Sequence, residues 1–231
     1  MILSHIAASL CLLFASGFAL TVFIGWGSLL KRLIGNPFQK QLQFSDAWLG
    51  LLAVITFTET YHLWLAIDWK LILIVSLIGI AGLYPAIGNS TPLCNWRSTL
   101  RKLNPLVVLV ACFLLFTWTA LALTIPSIYD GGLYHFQAIR WLNEFPIVLG
   151  LGNLSGRLAF NQSYFPYLAL LNIFPFFGKG YAFGGLLLMM LTCATLFEAK
   201  LNKISGGWWL NLWIMIALLP ISRYLSSPSP D

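Results

Sequence analysis

Apolar stretches of about twenty residues recur along this chain, and the short connectors between them carry most of its basic charge. Crossing the roughly 30 Å hydrocarbon core of a bilayer takes about 20 predominantly apolar residues in a helix. Residues 6–30, 47–66, 71–88, 105–124 and 181–197 meet that requirement, and 208–221 makes a sixth run. The composition agrees, with 59% hydrophobic and 9% charged residues, where a soluble domain carries about a quarter charged residues. The expected fold is therefore all-α, a polytopic transmembrane helical bundle of about six spans. The first ten residues hold no Lys or Arg, and the run 6–30 is longer than a signal-peptide core, so the first run reads as a retained span.

The chain holds 13 Lys and Arg against 7 Asp and Glu. That excess reads as topology and not as a nucleic-acid surface, because it gathers between apolar runs. Connector 31–40 holds three basic residues, connector 89–104 holds Arg97, Arg101 and Lys102, and Lys200 with Lys203 mark a third. Short Lys- and Arg-rich loops stay cytoplasmic, which puts the N-terminus outside. Residues 161–179 are apolar but are broken by Pro166 and Pro175 and rich in aromatics. If they spanned, Lys200 and Lys203 would move outside, so the stretch reads as interfacial or re-entrant. Residues 125–180 then form one long extracytoplasmic excursion, the kind of connection in which function concentrates. The chain divides into three N-terminal spans, 1–104, and a second region, 105–231, which stops at Asp231 as if part of a longer protein. Four cysteines, Cys11, Cys94, Cys112 and Cys193, form no C-x-x-C pair and point to neither zinc nor a disulfide framework.

Within the excursion, Tyr129-Asp130-Gly131-Gly132-Leu133-Tyr134-His135 leads into a short amphipathic helix. On it Tyr134, Ala138, Trp141 and Phe145 share one face, with Gln137, Arg140 and Glu144 beside them. Asp130 falls at the N-cap, where a carboxylate can serve the backbone with no catalytic role. The same carboxylate, beside His135 and Tyr134 at a water–lipid boundary, can instead take a proton from a bound hydroxyl. A second cluster is Gly150-Leu151-Gly152-Asn153-Leu154-Ser155-Gly156-Arg157, running on to Asn161. Its glycines allow a backbone anion nest, and Arg157 can pair with a phosphate or snorkel to lipid headgroups. Glu59 and His62 lie three residues apart on one face of the second span, which fits either a polar cavity open to the outside or a packing-only pair with a neighbouring helix. Asp231, after Ser229-Pro230, brings a second acid to the same side as Asp130.

Taken together, these residues resemble the GT-C superfamily of multi-pass glycosyltransferases that use lipid-linked sugars. The resemblance rests on Ile128-Tyr129-Asp130 with Tyr134 after the fourth span and on Ser229-Pro230-Asp231 two spans later. The stretch from Tyr129 to Asn161 also resembles an uncharacterised group of large bacterial membrane proteins. The likeness implies transfer of a sugar from a polyprenyl-phosphate donor on the outer face of the bacterial cytoplasmic membrane. Asp130 would be the base and Asp231 its acidic companion, with His135 nearby. Tyr134, Arg140, Arg157 and Asn161 would hold substrate. The implied partners are membrane lipid and a lipid-linked sugar. A divalent metal shared by Asp130 and Asp231 is conceivable, but two carboxylates are too few to argue for one. The rival expectation is a non-enzymatic transporter or a subunit of an envelope-polysaccharide export or polymerisation system, which would use Glu59 and His62 in a central pathway.

Overall fold

The computed structural model describes residues 2–35, 43–88, 105–126, 130–159, 162–173, 178–201 and 225–228. The sixth apolar run, the basic connector 89–104, Asn161 and Asp231 lie outside the described residues. Every regular element described is helical: α1 (Ile2–Leu33), α2 (Asp46–His62), α3 (Trp69–Gly88), α4 (Pro105–Ala122), a π-helical turn (Gly131–His135), α5 (Phe136–Glu144), α6 (Leu151–Leu154), a 3-10 turn (Gly156–Ala159), α7 (Tyr164–Leu171) and α8 (Gly180–Leu201). The all-α expectation holds. Among the described residues α1, over Ser4–Leu33, is long and apolar enough to cross a membrane. Shorter apolar helical stretches follow at Trp69–Tyr84, Cys112–Ala122 and Gly180–Thr195.

The long helices pack through small residues. A Cβ on Gly50 of α2 would lie 1.7 Å from the Phe23 carbonyl oxygen of α1, and one on Gly25 of α1 would lie 1.8 Å from that of Gly79 in α3. These backbones touch with nothing between them, the close approach that a residue without a Cβ permits. Hydroxyls on the same helices bond backward within their own turns: Ser16 Oγ donates to the Leu12 carbonyl at 2.8 Å and Thr60 Oγ1 to that of Thr56 at 2.8 Å. That satisfies them within their own helices. Outward, Phe14 and Phe18 of α1 and Leu73 and Leu77 of α3 are exposed.

Polar contacts gather at the two ends of this bundle. At one end Lys31 of α1 pairs with the buried Asp46 of α2, and Arg32 Nη2 donates to the Gly82 carbonyl at 2.6 Å. Glu198 of α8 reaches the same end, accepting from the backbone N–H groups of Phe44 and Ser45 at 3.0 Å each. The side chain of Ser45, the residue before α2, caps nothing, so a carboxylate from about 150 residues away supplies the cap and opposes the helix dipole. Removing an acceptor of two backbone donors costs on the order of 1–3 kcal/mol. Glu198→Ala should therefore lower the thermal unfolding midpoint of the purified protein, and Glu198→Gln, which keeps one acceptor oxygen, should recover part of the loss. Equal melting of all three forms would disprove the cap.

At the opposite end lie the end of α2, the start of α8 and all of α5 to α7. The described part of the 161–179 stretch includes α7, which has 8 residues and is roughly 12 Å long at 1.5 Å per residue, shorter than a spanning helix. Its residues Phe165–Leu171 are buried, so α7 is packed inside protein and not laid on a surface. Tyr167 Oη donates to the Gly184 carbonyl of α8 at 3.0 Å, and burial pushes the Tyr164 phenol up to about 12.

Candidate functional site

Asp130 stands just ahead of the π-helical turn, at the N-cap position expected of it, yet its side chain makes no cap hydrogen bond. The carboxylate instead accepts from Arg157 Nη1 at 3.2 Å, with both side chains about half exposed. The carboxylate therefore faces a cation and not its own helix end. Arg157 comes from the 3-10 turn 27 residues on, and its Cζ lies 5.3 Å from the centre of the Tyr134 ring. A guanidinium over a phenol face gains cation–π attraction, so the ring and the carboxylate together hold Arg157 in place. Behind Tyr134 sits His135, 1% exposed, edge-on to Tyr134 at 4.2 Å between centroids and 5.4 Å from the ring of Phe165 in α7. His135 is thus part of the wall behind the pair and not of its open surface.

Arg140 is not drawn into this cluster. It lies exposed on α5 and bonds Glu144 one turn on, at 2.6 Å, and that carboxylate raises the guanidinium pKa above its ordinary value. The most buried positions of the π turn and α5 are His135 and Ile139, so the polar face of the helix sits as the sequence implied while its inward face is turned slightly from Tyr134. The glycine-rich segment also differs from an open anion nest. It coils into two short turns in which Asn153, Ser155 and Leu158 N–H groups bond the carbonyls of Gly150, Leu151 and Ser155 at 2.9, 3.1 and 2.9 Å. Donors used that way do not point at an anion. The turn needs glycine at one place, Gly150, whose φ is +88°.

The chain returns to this end near its described terminus. Pro228 Cγ lies 3.3 Å from where a Cβ on Gly131 would be, and Thr124 Oγ1 stands 3.3 Å from Ser226 Oγ. Segment 225–228 therefore packs beside the Asp130 turn, three residues before Asp231, which itself lies outside the described residues. Among the described residues no three His, Cys, Asp or Glu side chains converge to hold a metal ion.

Two cavities flank α7. One, of about 340 Å³, lies between the end of α2, α5 and loop 146–152, with His62, Trp141, Leu158 and Phe165 in its walls. The other, of about 410 Å³, is an apolar groove between α1 and α3, closed by Leu170, Leu171 and Phe183. A third feature escaped sequence reasoning. Asn143 Nδ2 donates to the carbonyls of Ile67 and Ala169 at 2.9 Å each, and its Oδ1 accepts from Asn172 Nδ2 at 3.0 Å. This asparagine ties α5, α7 and the α2–α3 connection into one floor beneath the site; the available signal was an amide on the inward side of an amphipathic helix.

Residues 10–231 match the family described as Domain of unknown function (DUF8201). No curated protein and no solved structure matches the chain.

Proposed function

The chain belongs to this family of unknown function, and from that premise we propose that it is a polytopic protein of the bacterial cytoplasmic membrane, with about six spans, that transfers a sugar from a polyprenyl-phosphate donor at its extracytoplasmic face. The observation that carries the reading is the pairing of a half-exposed Asp130 with Arg157 instead of with its own helix end. A carboxylate with a guanidinium at hydrogen-bond distance is what this transfer needs from a protein. The donor phosphate takes the guanidinium, which frees the carboxylate to accept the proton of an acceptor hydroxyl. The acceptor oxygen then bonds the anomeric carbon as its bond to phosphate breaks, and the polyprenyl phosphate leaves against Arg157. A cation fixed in advance where negative charge develops lowers the barrier strongly, because nothing has to reorganise as the bond breaks, and a placed base adds about 10²–10⁴.

The apolar groove across α1 and α3 suits an isoprenoid chain, since it lies on helices whose outer faces are apolar and α7 separates it from the outer cavity. Lys31 and Arg32 at the end of α1, opposite Asp130, agree with an inside-positive orientation. A transporter would be expected to place Glu59 and His62 together in a path between helices. His62 instead lines the outer cavity, and Glu59 is not among its lining residues.

The test is transfer from radiolabelled polyprenyl-phosphate sugars by membranes holding the full-length gene product. Arg157→Ala should lose about 10²-fold or more of the transfer. Arg140→Ala, which breaks only an exposed pair, should stay within about twofold of the parent. No transfer by the parent from any donor would move the assignment to transport or polysaccharide assembly.

A further inference from the structure

We propose that the cavity between the end of α2, α5 and loop 146–152 is a binding site for a neutral, hydroxylated ring, a hexose unit, with His62 as its polar anchor and Trp141 as its stacking face. The sequence marks His62, and the reaction above does not use it. Its side chain is 5% exposed, the Leu65 backbone lies within weak hydrogen-bonding reach of the ring, and its Nδ1 is buried with no well-formed hydrogen bond among the described residues. A buried ring nitrogen left without a partner costs stability, and such groups call for an explanation such as a water or a ligand. The cavity that His62 lines, about 340 Å³, sits at the lower end of the roughly 300–1,000 Å³ range of small-molecule sites, the size for one or two rings.

The walls restrict the chemistry further. Among the described residues no Asp, Glu, Lys or Arg lines the cavity, so a charged ligand would lose its hydration without a counter-charge. The remaining walls are aliphatic and aromatic, with the indole of Trp141 and the ring of Phe165. A pyranose has an apolar C–H face that lies on such rings and an edge of hydroxyls for a nitrogen that can accept or donate. The loop is held to α2 by the Ile147 N–H, which donates to the His62 carbonyl at 3.1 Å, so the cavity is formed before anything enters it. Leu149, 92% exposed, stands at its rim, and Leu158 follows Arg157 directly in the wall. That adjacency brings a bound ring toward the Asp130–Arg157 pair, and calling the ring the acceptor rests on the transferase reading; the binding itself does not.

The experiment is photo-crosslinking of the full chain in lipid nanodiscs with a diazirinylphenyl hexoside, against a diazirinylphenyl glycerol ether of the same aglycone, followed by peptide mapping. The hexoside should label residues 141–158, with competition by the methyl hexoside, and labelling should fall about tenfold in His62→Phe, the worth of one hydrogen bond to a buried group. Leu149→Trp, which obstructs the rim from an exposed position and leaves the core untouched, should reduce labelling as well. Equal labelling by the glycerol ether, or undiminished hexoside labelling in both variants, would overturn the proposal. Because labelling needs no transfer, an inactive protein that still labels rejects the enzyme reading alone, and an active one that does not label rejects this site alone.

Discussion

Asp130→Asn should lose about 10²–10⁴ of the sugar transfer while the protein level and melting behaviour stay those of the parent. Asparagine keeps the shape and still offers an oxygen to Arg157 Nη1, now 3.2 Å from the carboxylate, but it cannot take the acceptor's proton. The folding cost is small because the ion pair is about half exposed, and exposed pairs contribute about 0–1 kcal/mol. An exchange variant, Asp130→Arg with Arg157→Asp, sharpens the result. It restores an ion pair of the same composition with base and cation transposed, so a structural role predicts recovery and a catalytic role predicts none. Transfer by Asp130→Asn at the parental rate would remove Asp130 from the mechanism.

The largest effect on stability is expected at Gly50. A Cβ there would lie 1.7 Å from the Phe23 carbonyl oxygen and 2.6 Å from its carbon, where ordinary contact begins at 3.4 Å. The obstacle is backbone on both sides, so no rotamer change relieves it and α1 must move away from α2. That displacement also strains the Lys31–Asp46 pair at the end of the same two helices; Asp46 is 2% exposed, and separating a buried carboxylate from its partner costs about 3–5 kcal/mol. Gly50→Ala should therefore leave little monodisperse protein on size-exclusion chromatography, a loss beyond the roughly 1–3 kcal/mol usual for overpacking. Gly17→Ala is the matched control: a Cβ there meets nothing within 4 Å, and alanine is the better helix former by up to about 1 kcal/mol. Survival of Gly50→Ala with a parental melting temperature would show that α1 and α2 do not pack as described.

Much of the architecture was legible in the sequence. Long helices follow from runs of apolar residues because a buried or lipid-facing backbone must bond itself, and a helix does so within one segment. The end of the helix near 124, the amphipathic helix after Asp130 and the short helix within 161–179 all came from local pattern: a polar break, a 3.6-residue period and two prolines. Segment boundaries were less secure. The second run was read to residue 66, but α2 ends at His62 and the next two residues form a turn, since apolar content alone does not mark where a helix stops.

What the sequence determined by itself, then, is which of the described long stretches are helical, which residues can carry charge or protons, and that Asp130, Tyr134 and His135 are neighbours in sequence. Tertiary structure alone decided the partners. It gave Asp130 to Arg157 and Arg140 to Glu144, two arginines that look alike along the chain. It turned the glycine-rich segment into closed turns, brought Glu198 to the start of α2, and set His62 against a loop some eighty residues later. The physical reason is range. Helix formation depends on residues within a turn or two of one another, whereas an ion pair, a cap or a cavity wall depends on where the chain folds back, and that is fixed by the packing of glycine-lined helices at distances along the chain that no local pattern records.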